Sequence, residues 1–115
     1  MKQISYFWNI LISIPLLLGV PVAQAGIGPQ NVVVVVNDNS RDSLEIGQYY
    51  QDQRGLSERQ IVHVSTTTNG AITLTDFNSE IYDPVIDYIN SSALSNQVET
   101  ILYTIGMPYQ VGSGG

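Results

Sequence analysis

The residues best suited to chemistry lie in one short stretch, Asn37-Asp38-Asn39-Ser40, with Ser43 three residues on. Asn and Ser side chains where a strand gives way to a helix can offer amides and hydroxyls to a guest, and the helix's unpaired N–H groups add to them. The same residue types also cap helices and turn the chain with no ligand present. Asp38 and Asp42 make phosphate a poor guest there, so a sugar or another neutral polar molecule is the expected class. A second cluster is Asp76, Glu80, Asp83 and Asp87, whose spacing puts all four on one helical face. Calcium takes such oxygen ligands from a loop that wraps the ion, so a solvated outer face is the expectation here. His63 is the single imidazole. Acid–base work would need a partner brought from elsewhere in space, and its place between two valines suits a structural strand residue.

Other motifs carry less. The chain has no Cys, which excludes a disulfide framework, a Cys-ligated zinc site and a thiol nucleophile; with one His it has no zinc set at all. Ser113 lies between glycines but lacks the Gly-x-Ser-x-Gly frame of a hydrolase nucleophile. Gly26-x-Gly28 precedes a strand instead of following one, so it is no dinucleotide fingerprint. Asn90-Ser91-Ser92 matches a glycosylation sequon, which matters only in a eukaryotic secretory host. No catalytic set, metal or cofactor is expected, which leans against catalysis by this chain alone.

Residues 1–25 read as a secretory signal peptide. Lys2 supplies the positive start, residues 10–22 the apolar stretch, and Ala23-Gln24-Ala25 the small-x-small site, with cleavage after Ala25. Asn9, Pro15 and Pro21 argue against an uncleaved anchor, so contact with a membrane is expected only through the signal. No Cys follows to carry a lipid and no twin Arg is present, which leaves the Sec route and a periplasmic or extracellular destination. Beyond Ala25 there is no Lys, and three Arg face ten acids for a net charge of -7. Such a surface excludes binding to a nucleic-acid backbone.

The elements that must position these residues alternate. After a lead-in at 26–30, the pattern predicts one α/β domain over 31–111 and a disordered tail at 112–115. Val32 to Val36 form an unbroken β-branched run, the mark of a strand buried on both faces, at 31–37. A helix follows, with Asp42 as N-cap and Glu45 reaching back; it carries Leu44, Ile46, Gly47 and Tyr50 toward the sheet and stops at Gly55. A second strand is expected at 61–65 and a polar loop at 66–70. A helix capped by Thr75 then runs to about residue 90 with Phe77, Ile81, Val85, Tyr88 and Ile89 at core spacing. Pro84 should kink it, or restart it with Asp83 as N-cap. A third strand is expected at 98–105.

This alternation predicts right-handed βαβ units in a three-layer β-α-β-α-β parallel sheet of order 2-1-3, an incomplete flavodoxin- or Rossmann-like domain. Ligands of such sheets bind beyond the strand ends where the order reverses. The expected crevice is therefore lined by Asn37, Asn39, Ser40 and Ser43 on one side and by Gly106 and Tyr109 on the other.

The valine strand ending in Asn37, the step Ser40-x-x-Ser43 into a helix, Tyr49-Tyr50, Arg54, and Gly106-Met107-Pro108 after the third strand occur together. As a set they resemble the N-terminal portion of an uncharacterised exported bacterial family known only by a numbered family model. The likeness covers nearly all of residues 31–111. Members are several hundred residues long, which implies that this chain is the opening portion of such a protein. Where a Lys before the Gly is common, this chain has Ile105, so no basic contact at the crevice carries over. The expected function is thus that of an exported protein's leading α/β portion, with no complete catalytic site of its own. Two alternatives stand beside it. One is the leading subdomain of a secreted hydrolase-like enzyme with catalytic residues beyond Gly115, and the other is a non-catalytic binding or surface module for a polar ligand. Three parallel strands leave an apolar edge at the third, to be completed by a C-terminal continuation or a partner.

Overall fold

Five consecutive valines supply apolar side chains to both faces of a sheet, and here both faces are filled. The computed structural model describes residues 27–112; the proposed signal, its cleavage site and residues 113–115 lie outside them. In chain order the elements are β1 (Val32–Asn37), α1 (Arg41–Arg54), β2 (Ile61–Val64), β3 (Ala71–Thr73), α2 (Leu74–Phe77), a π-helical turn (Asn78–Tyr82), α3 (Asp83–Ser91), β4 (Thr100–Tyr103) and β5 (Gln110–Gly112). Turns of 3-10 helix lie at Pro29–Asn31, which takes in the end of the expected lead-in and the first residue of the expected strand, and at Glu58–Gln60. The protein is mixed α/β, with a three-stranded parallel sheet of order β2-β1-β4 and a second parallel pair, β3-β5. The main order is the one that the central valine run leads to.

Every residue of β1 is buried. Val33 and Val35 join Val62, Val64, Ile81, Val85 and Ile89 on one face, whereas Val32, Val34 and Val36 join Leu56 and Ile61 on the other. The strand's two-residue alternation divides the core into two clusters, with α3 against the first and α1 against the second. Each fully buried valine contributes on the order of 1.5–3 kcal/mol, which makes β1 the axis of the domain.

Helix α1 differs from expectation in its cap and its face. Ser40, not Asp42, is the N-cap, its hydroxyl accepting from the Ser43 N–H, while Glu45 pairs with exposed Arg41 at 2.8 Å. Leu44 and Ile46 are exposed; Ser43 and Gly47 are the buried residues, with Tyr50 packed against the same cluster. The reason is proximity. A Cβ on Gly47 would overlap the Val36 side chain and come within 3.9 Å of Thr104 Cγ2, so the helix backbone lies directly on the sheet, across β1 and the end of β4. Larger residues are pushed to its flanks. Gly55 ends the helix at φ 65°, its N–H bonded to the Gln51 carbonyl, a left-handed cap that glycine adopts without a Cβ penalty.

The second helical stretch begins earlier than expected. Thr73, not Thr75, caps α2 by accepting from the Asp76 N–H at 3.1 Å. Asp83 is itself helical (φ -61°, ψ -48°), so the helix does not restart at Pro84. The π-helical turn precedes it, with the Asp83 N–H bonded to the Asn78 carbonyl, and one wide turn relieves the crowding that a proline ring brings to the preceding turn. Ile81, Val85 and Ile89 are buried, and Phe77 and Tyr88 pack beside them, as the spacing predicts. Between the polar loop expected at 66–70 and the helix lies a strand that the sequence did not point to, β3 (Ala71–Thr73), which pairs with β5 through Ile72 and Val111. Gly112, assigned to the tail, is the last residue of β5 and lies opposite Thr73. The second and third strands are each shorter than expected, by one residue and by four respectively.

Candidate functional site

The structure gathers Asn37, Asn39, Ser40, Ser43 and Gly106 at the carboxyl ends of β1 and β4, and their polar groups bind one another. Asn37 is fully buried. Its Nδ2 donates to the carbonyls of Thr66 (3.2 Å), Thr67 (3.2 Å) and Gly106 (3.0 Å). Its Oδ1 accepts from the N–H groups of Asn39 (3.1 Å) and Thr66 (3.2 Å). One side chain thus ties together the turn after β1, the segment after β2 and the turn after β4. Asn39 adds a bond from its Nδ2 to the Thr66 carbonyl at 2.9 Å.

Ser43 extends the network inward. Its hydroxyl accepts from the Asn37 N–H at 2.8 Å and lies 2.5 Å from Thr104 Oγ1, which donates to the Val35 carbonyl at 3.0 Å. Thr104 has a single hydroxyl proton, so the proton between the two hydroxyls comes from Ser43. Among the described residues no buried side-chain polar atom lacks a partner. Gly106 has φ 87°, and a Cβ there would overlap Ser40 Oγ; both constraints demand glycine. Tyr109 stands apart from this group and is 88% exposed. Its N–H bonds the Gly70 carbonyl at 3.0 Å, and its ring lies over Gly70.

The open ground is along β4. No residue of β4 is buried, Tyr103 is 43% exposed and Ile105 65%. Each face of the sheet has a hollow beside this strand. One, of about 640 Å³, is lined by Phe77, Tyr103, Met107, Tyr109 and Val111 among others; the second, of about 420 Å³, lies between Asp42, Glu45, Ile46 and Tyr49 of α1 and Ile105. Ile105 borders both. Partial burial raises the Tyr103 phenol above the ordinary tyrosine pKa by desolvating its anion.

His63 lies on an outer strand with its side chain 54% exposed, and its Nδ1 is 2.6 Å from Asp38 Oδ1. The neighbouring hollow, about 320 Å³, is rimmed by Gln48, Gln51 and Glu58. Glu80 accepts from the Thr66 hydroxyl at 2.8 Å, while Asp76, Asp83 and Asp87 are exposed. Among the described residues no three His, Asp or Glu side chains converge as a metal set, and no helix is long and apolar enough to cross a membrane.

Comparison with protein-family models, curated proteins and solved structures gave no match. The site is therefore read from its geometry. The sequence points to Asn37, Ser40, Ser43 and Gly106 by residue type and position, but it does not point to Thr66 or Thr104, their partners. The available signal is a hydroxyl placed next to the apolar run Ile101-Leu102-Tyr103, at a depth where an unpaired hydroxyl would be costly.

Proposed function

We propose that this chain is the leading α/β portion of an exported protein, a non-catalytic module whose parallel sheet takes a further strand along β4. One observation carries the reading: β4 is an uncharged, half-exposed outer strand, with one hollow beside Tyr103 and another just past its end between Ile105 and the α1 residues Asp42, Glu45, Ile46 and Tyr49. A strand laid there would pair with its outward backbone groups and send alternate side chains into the two hollows. A sheet extended in this way is doubly wound, of the flavodoxin- or Rossmann-like kind, with the Asn37 network at its switch point. The polar groups of that network are bonded internally, which favours a structural role over capture of a sugar. His63 pairs with Asp38 on the opposite outer strand, and the Ser43 hydroxyl is held by Thr104. That separation supports reading the chain as non-catalytic.

The test is amide hydrogen exchange on the chain at about micromolar concentration, followed by mass spectrometry. Residues of β4 should exchange well before those of β1 and β2. Slow exchange in β4 of chain shown by light scattering to be monomeric at that dilution would mean that its edge is already covered within the chain, and the reading would fall. The export half is tested by the mass of secreted material: an N-terminus other than Gly26 would refute the cleavage site.

A further inference from the structure

We propose that the strand taken up at β4 is β4 of a second copy, laid antiparallel about a two-fold axis at Leu102, so that two chains form one six-stranded sheet. This rests on the reading of β4 as an open edge and names its occupant.

The backbone direction comes first. The Thr104 N–H turns inward to the Val35 carbonyl at 3.2 Å, and on the other side of β1 the Asp38 N–H meets the Val64 carbonyl at 2.8 Å. Strand alternation then turns the N–H and C=O of Leu102 toward β1 and those of Ile101 and Tyr103 outward. With the axis at Leu102, Ile101 of one copy faces Tyr103 of the other and exchanges two hydrogen bonds with it. Symmetry repeats the pair on the other side, so all eight outward groups of the two strands are used. Leu102 faces its own mate as a non-hydrogen-bonded pair, the closer of the two antiparallel spacings.

The side chains agree with this register. An Ile–Tyr cross-strand pair combines a β-branched with an aromatic residue, a favourable match, and Leu meets Leu on the other face. Helix α1 lies over β1 and the end of β4, as the contacts at Gly47 fix. Because α1 is seated on β1, with Gly47 against Val36, doubling the sheet places the two copies of α1 on the same face about 14 Å apart, three strand spacings. The flank on that side carries Ile46 (48% exposed) and Tyr49 (64% exposed) beside Ile105, together with the carboxylates of Asp42 and Glu45.

Charge selects a second copy and its route. Two chains of this acidity repel one another over most of their surface. From Thr100 to Gly115 there is no charged residue, so β4 is the approach that brings no carboxylates into opposition along the strand. An edge that natural proteins keep solitary normally carries charges or proline, and β4 has neither.

The test uses the absence of cysteine. In the full chain, Leu102→Cys should give a disulfide-linked dimer on mild oxidation, because the self-paired position has Cα atoms about 4.5 Å apart. Thr100→Cys should remain monomeric, since its symmetry mate lies roughly 13 Å along the partner strand. Unmodified chain should show a dimer by light scattering, with exchange at Ile101 and Tyr103 slowing as concentration rises. Tyr103→Lys should weaken the dimer by roughly tenfold or more and leave the circular dichroism unchanged. A dimer that cross-links through Thr100→Cys and not through Leu102→Cys would overturn the register. A chain monomeric at all concentrations with rapidly exchanging β4 would overturn the second copy and leave the open edge standing; slow exchange in the dilute monomer would remove both.

Discussion

The two outer strands of the main sheet are built to opposite ends. On β2, Ile61, Val62 and Val64 are buried and the one exposed residue, His63, is tied to Asp38. Around it, the Tyr88 hydroxyl donates to the Arg59 carbonyl at 3.0 Å, and the Arg59 guanidinium donates to the Ser92 carbonyl. Gln60 sends its amide to the Pro29 and Val32 carbonyls. Charge, imidazole and amide groups thus finish this side. On β4 the exposed residues are Tyr103 and, just beyond, Ile105, with no charge near them in sequence after Glu99. A sheet has two edges, and here one carries a His–Asp pair and side-chain ties while the other carries neither. The lesson is that the two edges of one sheet are told apart by their charges and side-chain ties as much as by the apolar area that they show.

The comparison breaks if equal insults to the two sides have equal cost. Val62→Asp places an unpaired carboxylate in the packed side and should cost about 4 kcal/mol or more, enough to unfold much of the protein. Tyr103→Asp should cost the monomer within about 0.5 kcal/mol. Urea unfolding of both variants decides it, and similar midpoints would erase the distinction. Asn37→Ala removes the side chain that joins the ends of all three strands and leaves three carbonyls and two N–H groups without that partner. A loss of about 3 kcal/mol is expected, read as a fall in Tm with neither edge spared. Gly47→Ala drives a methyl into Val36, which should cost about 1–3 kcal/mol and lift α1 from the β4 side. A neutral result in thermal unfolding would show that the helix is not seated as closely as described.

The smallest effect is on Tyr103. Its phenol is raised above the ordinary tyrosine value by desolvation, so above pH ~10 the folded chain holds this proton more tightly than the unfolded chain. Stability from this group is complete below that pH and is lost as pH rises through the folded value. Tyr103→Phe should flatten the alkaline slope. If a second β4 covers the ring, the ultraviolet titration of Tyr103 should move further up with protein concentration.

Much of the fold is legible in the residues. Five valines require burial on both faces and so place β1 at the centre, and the 77-81-85-88-89 spacing identifies the core side of the second helical stretch. The seating of α1 is not legible, because hydrophobic spacing favours Leu44 and Ile46, whereas close approach favours Ser43 and Gly47. Strands β3 and β5 have three residues each and too little alternation to register. At the switch point the residue types are legible and their use is not. Asn and Ser suit a guest as well as one another, and only the positions of Thr66, Thr67 and Thr104 in space decide which.

The bonds of Asn37 also fix the order in which the chain can become locked. Its carbonyl partners lie 29, 30 and 69 residues further on, and long loop closures are entropically late events. At about 5–20 residues per second, synthesis presents Asn37 roughly 3–14 s before Gly106. Throughout that interval the amide has water and not Gly106 as its third partner, so the ends of β1 and β4 remain unfastened. The turn after β4 is what closes the first strand, and the nascent chain stays pliable until that turn has emerged.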